Sequence, residues 1–165
     1  MASYTDALSN PANVGQVRYH QFRPGGGINL EQQIVPDLGG FLRASMNDGT
    51  KEEYAFTDIN QSLAGGLSLK GECWGRANDT IGLGASINTI SRQARQFFAA
   101  GGMGGLVGDG QLPAYQPEQI IEAYYKASVM DGIALTLDYQ RVTNPGYDAV
   151  RGPIDFYSFR IHTEY

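Results

Sequence analysis

Polar and charged side chains recur at alternate positions along several segments of the chain, and their types suit the binding of a neutral polyol. Sugar hydroxyls both donate and accept hydrogen bonds, and the faces of sugar rings pack on aromatic side chains. The same residues would also serve as the solvated face of an ordinary antiparallel sheet. The candidate substrate-binding residues are Arg43, Lys70, Glu72, Trp74, Glu122, Tyr124, Lys126, Asp138, Gln140, Arg160, His162 and Glu164, with Glu31 and Gln33 at matching positions.

Residues that bind metals or act as nucleophiles are few and scattered. His20 and His162 are the only histidines and lie far apart, with one cysteine, Cys73, between them. A zinc site needs three or four clustered ligands, and a reactive thiol needs a neighbouring base or positive charge. The sequence therefore predicts neither a metal site nor a catalytic cysteine.

Other catalytic or cofactor-binding patterns are also weak. Glu52 with Glu53 and Glu118 with Glu122 form carboxylate pairs, but nothing places two carboxylates across a cleft as glycoside hydrolysis requires. The glycine-rich stretch 101–110 has neither the G-x-G-x-x-G spacing nor the Lys-Ser/Thr pair of phosphate loops. We predict that the protein is not an enzyme and needs no cofactor.

Composition restricts the class of partner. Twelve basic and seventeen acidic residues give a formal charge of −5 without a basic cluster, so nucleic acid is not expected as a partner. No window approaches eighteen consecutive apolar residues, which excludes a transmembrane helix. A transmembrane barrel stays possible, because its signal is alternation rather than a long apolar run.

The segments that carry these polar residues are predicted to be β-strands. Apolar and polar residues alternate, so each strand would have one apolar and one polar face. In the last segment Tyr157, Phe159, Ile161 and Tyr165 share the apolar face, with aromatics near both ends of a strand that would cover roughly 20 Å of height when tilted. The predicted strands are 27–35, 40–47, 66–74, 80–90, 132–142 and 154–165.

Short turns and long loops alternate between these strands. Turns are predicted at Pro36-Asp37-Leu38-Gly39, at 76–79 and at Asp131-Gly132. The long connections are roughly 48–58, 91–117 and 143–153, with a short helix at 91–100. Such sorting of turns and loops is typical of up-and-down outer-membrane barrels.

Segment 117–129 allows two interpretations. Ile120, Ile121, Tyr124 and Tyr125 have helical spacing after Pro117, which favours a helix locally. The same segment also alternates as a strand, and the Asp-Gly turn that follows it favours a hairpin.

Four stretches in this order give a resemblance to the carbohydrate-selective porin family (OprB type). They are GINLEQQIVPDLGGFLRAS (27–45), LSLKGECWGRANDTIGLG (67–84), GDGQLPAYQPEQIIEAYYK (108–126) and LDYQRVTNPGYDAVRGP (137–153), together with the aromatic C-terminus. The resemblance implies a water-filled transmembrane β-barrel of the Gram-negative outer membrane that passes sugars and ions by diffusion. It also implies that 117–129 is a strand and that the terminal aromatic is read by the barrel-assembly machinery. Outer-membrane lipid would surround the barrel, and porins of many kinds form homo-oligomers.

The chain departs from the family in length. Family members are longer and begin with a signal peptide, whereas MASYTDALSN has neither a basic region nor an apolar run. We therefore expect an all-β, antiparallel up-and-down sheet of about eight strands. Residues 1–165 would form a single barrel domain or a barrel fragment, resembling the C-terminal half of a porin. Eight strands alone would close a barrel filled by side chains. The alternatives are a soluble all-β carbohydrate-binding module that uses the same polar face, and a mixed α/β enzyme in which 117–129 is a helix.

Overall fold

A single antiparallel sheet dominates the computed structural model, which describes residues 2–8, 12–53, 57–104 and 109–164. Its strands pair in the order of the sequence, each antiparallel to the next. They are β1 (Gly25–Val35), β2 (Leu38–Asn47), β3 (Gln61–Gly71), β4 (Arg76–Thr89), β5 (Glu118–Met130), β6 (Ile133–Thr143) and β7 (Ile154–Thr163). The all-β, up-and-down prediction is confirmed, with seven strands in the described ranges rather than about eight. Within those ranges β1 and β7 each pair on one side only, so the sheet is open.

Helical structure is confined to the turns and connections. The predicted helix at 91–100 is present as α1 (Arg92–Ala99), and the Ser91 side chain caps it by accepting a 3.0 Å hydrogen bond from the backbone N–H of Ala94. Short 3₁₀ turns occupy Val14–Gln16, Glu72–Trp74 and Pro145–Tyr147. In the described part of the chain no helix is both long and apolar enough to cross a membrane.

The ambiguous segment 117–129 is a strand. β5 pairs with β4 on one side and with β6 on the other, so its backbone donors and acceptors are satisfied by two neighbours. Two-sided pairing therefore outweighs the local helical spacing of Ile120, Ile121, Tyr124 and Tyr125. The helix at 117–129 is therefore wrong, and so is the mixed α/β fold that depended on it.

Two of the three predicted short turns are present, although β2 already begins at Leu38 in the first of them, and the third is misplaced. Asp131-Gly132 joins β5 to β6, with Gly132 at a φ of 75°. Between β3 and β4, however, the chain turns at Glu72–Trp74 and closes at Gly75, also at a φ of 75°. Gly75 can adopt this left-handed conformation without a Cβ clash, so the turn forms there and β4 already begins at Arg76.

Residues 76–79 are held inside β4 by the carboxylate of Asp79. This side chain accepts hydrogen bonds from the Arg76 guanidinium, from the Tyr125 hydroxyl and, at 2.9 Å, from the backbone N–H of Ser128. Three donors on β4 and β5 account for an almost fully buried carboxylate (1% exposed). The pairing with β3 jumps from Thr80 to Arg76, which makes this stretch a bulge instead of a turn.

One face of the sheet is apolar from β1 to β7, as the alternation predicted. The register places Leu30 on β1, Leu83 on β4, Leu137 on β6 and Ile161 on β7 on this face, and each is 57–61% exposed. An apolar area of this extent marks a surface that lipid or another protein must cover. The sheet itself contains no packed core.

The hydrophobic core lies instead in what we call the loop layer: the described residues of the segment before β1 and of the connections 48–60, 90–117 and 144–153. Tyr4, Ile90, Phe97, Phe98 and Tyr147 are each at most 2% exposed there. The Tyr4 ring lies 5.1 Å from the ring of Phe97 and 5.9 Å from that of Phe98, at tilted angles typical of favourable aromatic pairs. All long connections meet at one end of the sheet, and their packing makes that end a compact unit.

A buried polar group, Asp58, joins distant parts of the loop layer. The Tyr4 hydroxyl donates a 2.6 Å hydrogen bond to Asp58 Oδ1, and the Tyr147 hydroxyl donates one of 2.6 Å to the Asp58 backbone oxygen. Burial, together with the negative charge of Glu53, raises the pKa of the Asp58 carboxyl, although the hydrogen bond from Tyr4 opposes this rise. Burial also raises the pKa of both tyrosines, so both hydroxyls stay protonated as donors.

Candidate functional site

The second face of the sheet carries most of the predicted site residues. Register and alternation bring the following onto this polar face: Arg43, Lys70, Glu122, Tyr124, Lys126, Asp138, Gln140, Arg160 and His162. Glu164 lies one residue beyond β7, where its Oε1 is 3.0 Å from Nε2 of His162. Their binding roles stay predictions, since the register gives position only. Tyr165 lies outside the described residues.

Glu72 and Trp74 do not follow the alternation. β3 ends at Gly71, and both residues lie in the 3₁₀ turn that follows. The Trp74 ring lies 6.5 Å from that of Tyr125, whose partners Ile81 and Leu137 belong to the apolar face. The chain turns before reaching these two residues, so they lie beyond the alternating positions of β3, and their binding role stays a prediction.

A groove crosses the middle of the polar face, and its floor is almost free of side chains. Gly66, Ser68 and Gly84 form this floor on β3 and β4, where Gly66 pairs with Gly84. Gly82, the partner of Ser68, lies beside the floor under the Tyr124 ring. Glycine within a strand often marks a place where a ligand or another group approaches the backbone closely. Here two aromatic side chains use that space.

Phe41 and Tyr124 lie flat over these glycines from opposite sides. Phe41 on β2 is the cross-strand partner of Gly66, and a Cβ on Gly66 would come within 2.6 Å of Phe41 Cε1. Tyr124 on β5 is the partner of Gly82, where a Cβ would overlap the tyrosine ring. Both rings are half-buried, and they border the groove on its two sides.

Hydrogen-bonding groups line the same groove, which has a volume of about 550 Å³. Arg43 Nη2 is 3.0 Å from Glu31 Oε1, its Nε is 2.9 Å from Asn29 Oδ1, and its guanidinium lies 4.9 Å from the centre of the Phe41 ring. On the other side Gln140 Nε2 donates a 3.1 Å hydrogen bond to Glu122 Oε2. Charged groups thus lie on both sides of the groove, Arg43 and Glu31 on one and Glu122 on the other, beside two flat rings.

The loop layer covers the polar face at one end of the strands. Asn88 and Val142, on the polar face near the long connections, are 5% and 8% exposed, whereas Ile87 on the apolar face is 38% exposed. Glu118 on the same end of the polar face accepts a 3.0 Å hydrogen bond from the backbone N–H of Gly146 in the loop layer. The loop layer therefore leans over the polar side, towards the groove.

Sequence reasoning missed Phe41 and the glycines of the groove floor. Alternation puts Phe41 on the face of Arg43, but its pairing with Glu31 and with Gly66 depends on the register. The one available signal was the presence of Gly65-Gly66 and Gly82-x-Gly84 inside alternating segments.

Groups suited to metal chemistry do not cluster in this region. The described residues contain no group of three or more His, Cys, Asp or Glu that could hold a metal ion. Cys73 is exposed in the turn after β3, away from the groove lining. The groove can therefore offer hydrogen bonds, charge and ring faces.

Comparison with known proteins identifies the family. The sequence model described as "Carbohydrate-selective porin, OprB family" matches residues 1–165, the whole chain. The chain belongs to the OprB porin family. A search of curated protein sequences found no match.

A solved structure of a porin, OprB from Pseudomonas putida at high pH, has the same fold. The two chains are 18% identical, and the TM-score is 0.70 over 84% of this chain and 34% of that chain. This porin chain therefore spans about a third of the length of the Pseudomonas protein. The open sheet matches part of the wall of a closed barrel, which explains why β1 and β7 each have a free edge.

Proposed function

We propose that the chain forms part of the wall of an outer-membrane porin that passes small carbohydrates by diffusion. The observation that carries this proposal is the groove on the polar face, in which Phe41 and Tyr124 lie flat beside charged groups on both sides. In a porin barrel the polar face lines the water-filled lumen and the apolar face contacts lipid. The groove would then be a shallow track along the lumen wall.

The chemistry of the groove suits a sugar. Arg43, Glu31, Glu122 and Gln140 can donate to or accept from several hydroxyls at once, while the two rings offer faces on which a pyranose can pack. The groove is open on one side, so contacts with a solute would be numerous but individually weak. Weak binding at several sites favours passage, because a solute must leave as readily as it enters.

The apolar face supports the membrane location. Its exposed leucines and isoleucines extend over all seven strands, and the rings of Tyr139 and Tyr157 lie 5.2 Å apart near the loop end, as in an aromatic girdle. A soluble carbohydrate-binding module would leave this face in water. Outer-membrane lipid and the barrel-assembly machinery are the partners that follow from the proposal, and an association of identical barrels is compatible with it.

The test is sugar permeation through the porin in lipid. The intact porin, reconstituted in liposomes, should admit D-glucose and disaccharides in a swelling assay, and these sugars should reduce the ion current in planar bilayers. Arg43→Gln should weaken this reduction, because it removes donors from the groove. Arg141→Gln is the matched control, since Arg141 lies on the apolar face, 3.1 Å from Asp155. Absence of sugar-dependent swelling in the wild-type protein would overturn the proposal.

A further inference from the structure

Three basic residues lie in one row across the polar face, near the short turns. The register pairs Lys70 with Thr80, Thr80 with Lys126, Lys126 with Thr136, and Thr136 with Arg160. A cation therefore stands on every second strand from β3 to β7, with a threonine on each strand between. We call these five residues the cationic row. They lie outside the lining of the groove described above.

These three cations differ from the other basic residues of the sheet. Arg43, Arg76 and Arg141 each form an ion pair, with Glu31, Asp79 and Asp155 respectively. Lys70, Lys126 and Arg160 are exposed and have no carboxylate within 4 Å in residues 2–8, 12–53, 57–104 and 109–164. The unpaired cations of the strands are thus concentrated in one row.

The spacing of the row lets the three charges act together. Strands two apart in a sheet are separated by about 10 Å, which is comparable with the screening length of about 10 Å at 0.1 M salt. Their potentials therefore overlap along the wall. The hydroxyls of Thr80 and Thr136, both half-buried, supply hydrogen-bond donors between the charges.

Acidic groups near the row form no ion pair with its three cations. On the same face Asp138 lies two residues from Thr136, and Glu164 contacts His162 at 3.0 Å. Glu164 feels the charge of Lys126 without forming an ion pair with it. Asp37, Glu72 and Asp131 lie in the turns beyond the strands. Glu122, four residues from Lys126 on the same face, accepts a 3.1 Å hydrogen bond from Gln140. The three cations thus share this part of the wall with three carboxylates, two of which already contact Gln140 or His162.

We propose that the cationic row binds the anionic group of acidic carbohydrates and gives the channel a preference for anions. This inference rests on the proposed porin function, because it requires the polar face to line the lumen. Rings of lysine and arginine are the usual device for anion and phosphate pores. The row recognises an oxyanion, a carboxylate or a phosphate, by charge and by the adjacent threonine hydroxyls.

The first measurement is the reversal potential of the intact porin in planar bilayers under a KCl gradient. The wild-type channel should favour chloride over potassium. The triple variant K70Q/K126Q/R160Q should lose about fivefold in the ratio of anion to cation permeability, since three nearby charges are removed. R92Q is the control, because Arg92 begins α1, outside the sheet. Unchanged selectivity in the triple variant would overturn the proposal.

The second measurement separates the sources of the anionic group. Relative permeabilities of sodium gluconate, a carboxylate, and of glucose 6-phosphate are compared with that of D-glucose in the same protein. Loss of preference for both anions in the triple variant supports oxyanion binding, and loss for one assigns the row to that chemistry. Retained glucose flux in the triple variant shows that the barrel is intact. If wild-type porin passes glucose but shows no anion preference, the cationic row has no such role while the porin function stands. If it passes no glucose, the porin function itself fails.

Discussion

The Tyr147 hydroxyl donates a 2.6 Å hydrogen bond to the backbone oxygen of Asp58, which is 89 positions away in the sequence. The bond joins the connection before β7 to the connection before β3, and both residues are almost fully buried. Tyr4, from the segment before β1, reaches the side chain of the same aspartate. Three segments that are remote in sequence therefore meet at one residue, outside the sheet.

Replacement of Tyr147 by Phe should loosen the loop layer. The change removes the donor and leaves the Asp58 carbonyl unpaired in a buried site, which costs about 1–3 kcal/mol. Hydrogen exchange should become faster for amides of 57–60 and 144–153 and unchanged for those of β3 to β6. Tyr157→Phe is the control, because Tyr157 is 81% exposed on the apolar face. Equal effects of the two variants would contradict this role of Tyr147.

The stability of the loop layer should depend on the ionisation of Asp58. Burial raises the pKa of its carboxyl above the ordinary 3.8, so its favourable contribution is complete below that pH and is lost as pH rises through the folded-state pKa. Asp58→Asn keeps an oxygen for Tyr4 and removes the charge. The variant should therefore gain protection from exchange, relative to wild type, more at pH 8 than at pH 4 after correction for intrinsic rates.

The contribution of Asp48 to stability should change with pH in the opposite direction to that of Asp58, so Asp48 serves as a control for this experiment. Burial would raise the pKa of its carboxyl, but hydrogen bonds from Lys51 and Thr50 lower it to about 2. Its contribution is present above pH 3.8 and is lost as pH falls towards 2. Asp48→Asn should therefore reduce the pH dependence of exchange protection at acidic pH only. If Asp48→Asn instead reduced the pH dependence of exchange protection at alkaline pH, the assignment of the two effects to Asp48 and Asp58 would be wrong.

Gly82→Ala should narrow the groove, whereas Gly84→Ala should not. A Cβ on Gly82 would displace the Tyr124 ring towards the lumen, while the nearest atom to a Cβ on Gly84 is Gly65 O at 3.8 Å. We expect lower single-channel conductance and slower sugar flux for Gly82→Ala alone. Adding Tyr124→Ala should restore conductance, since it removes the displaced ring. Equal conductance of the two glycine variants would be evidence against the flat position of Tyr124.

A positive charge should be tolerated on one face of β7 and not on the other. Ile161 lies on the apolar face opposite Leu135, and Ser158 lies on the polar face opposite Asp138. Ile161→Arg should cost about 2–4 kcal/mol if the side chain meets the middle of a bilayer. Ser158→Arg should cost far less. Unfolding by urea in liposomes measures both, and similar values would argue against a lipid-facing apolar surface.

Period-two patterns gave the strands and both faces of the sheet, because the pleat fixes which side chains share a face. Segment 117–129 alternates as a strand, with Ile121 and Tyr125 on the apolar face, although its local spacing alone would have made it a helix. The turn before β4 was misplaced because Asp79 resembles a turn residue in sequence but forms hydrogen bonds across the strands. Its partners Tyr125 and Ser128 are remote in sequence, so no local pattern contains them.

The groove was harder to foresee than the sheet. The polar residues of the groove follow the alternation. The packing of the Phe41 ring on Gly66 and of the Tyr124 ring on Gly82 depends on the cross-strand register. Register is set by the whole ladder together with its bulges, and a single strand does not specify it. The loop layer was likewise visible only as connections rich in glycine and proline, with no indication that they would hold the core.

The glycine floor of the groove also indicates how the width of a channel of this architecture can change. Barrel diameter grows with the number of strands, so circumference alone sets width in coarse steps. Removing Cβ atoms from two neighbouring strands deepens the wall locally, with no change in strand number. A substitution such as Gly82→Ala, which displaces a neighbouring ring, would therefore change the width of the channel in small steps within an unchanged barrel.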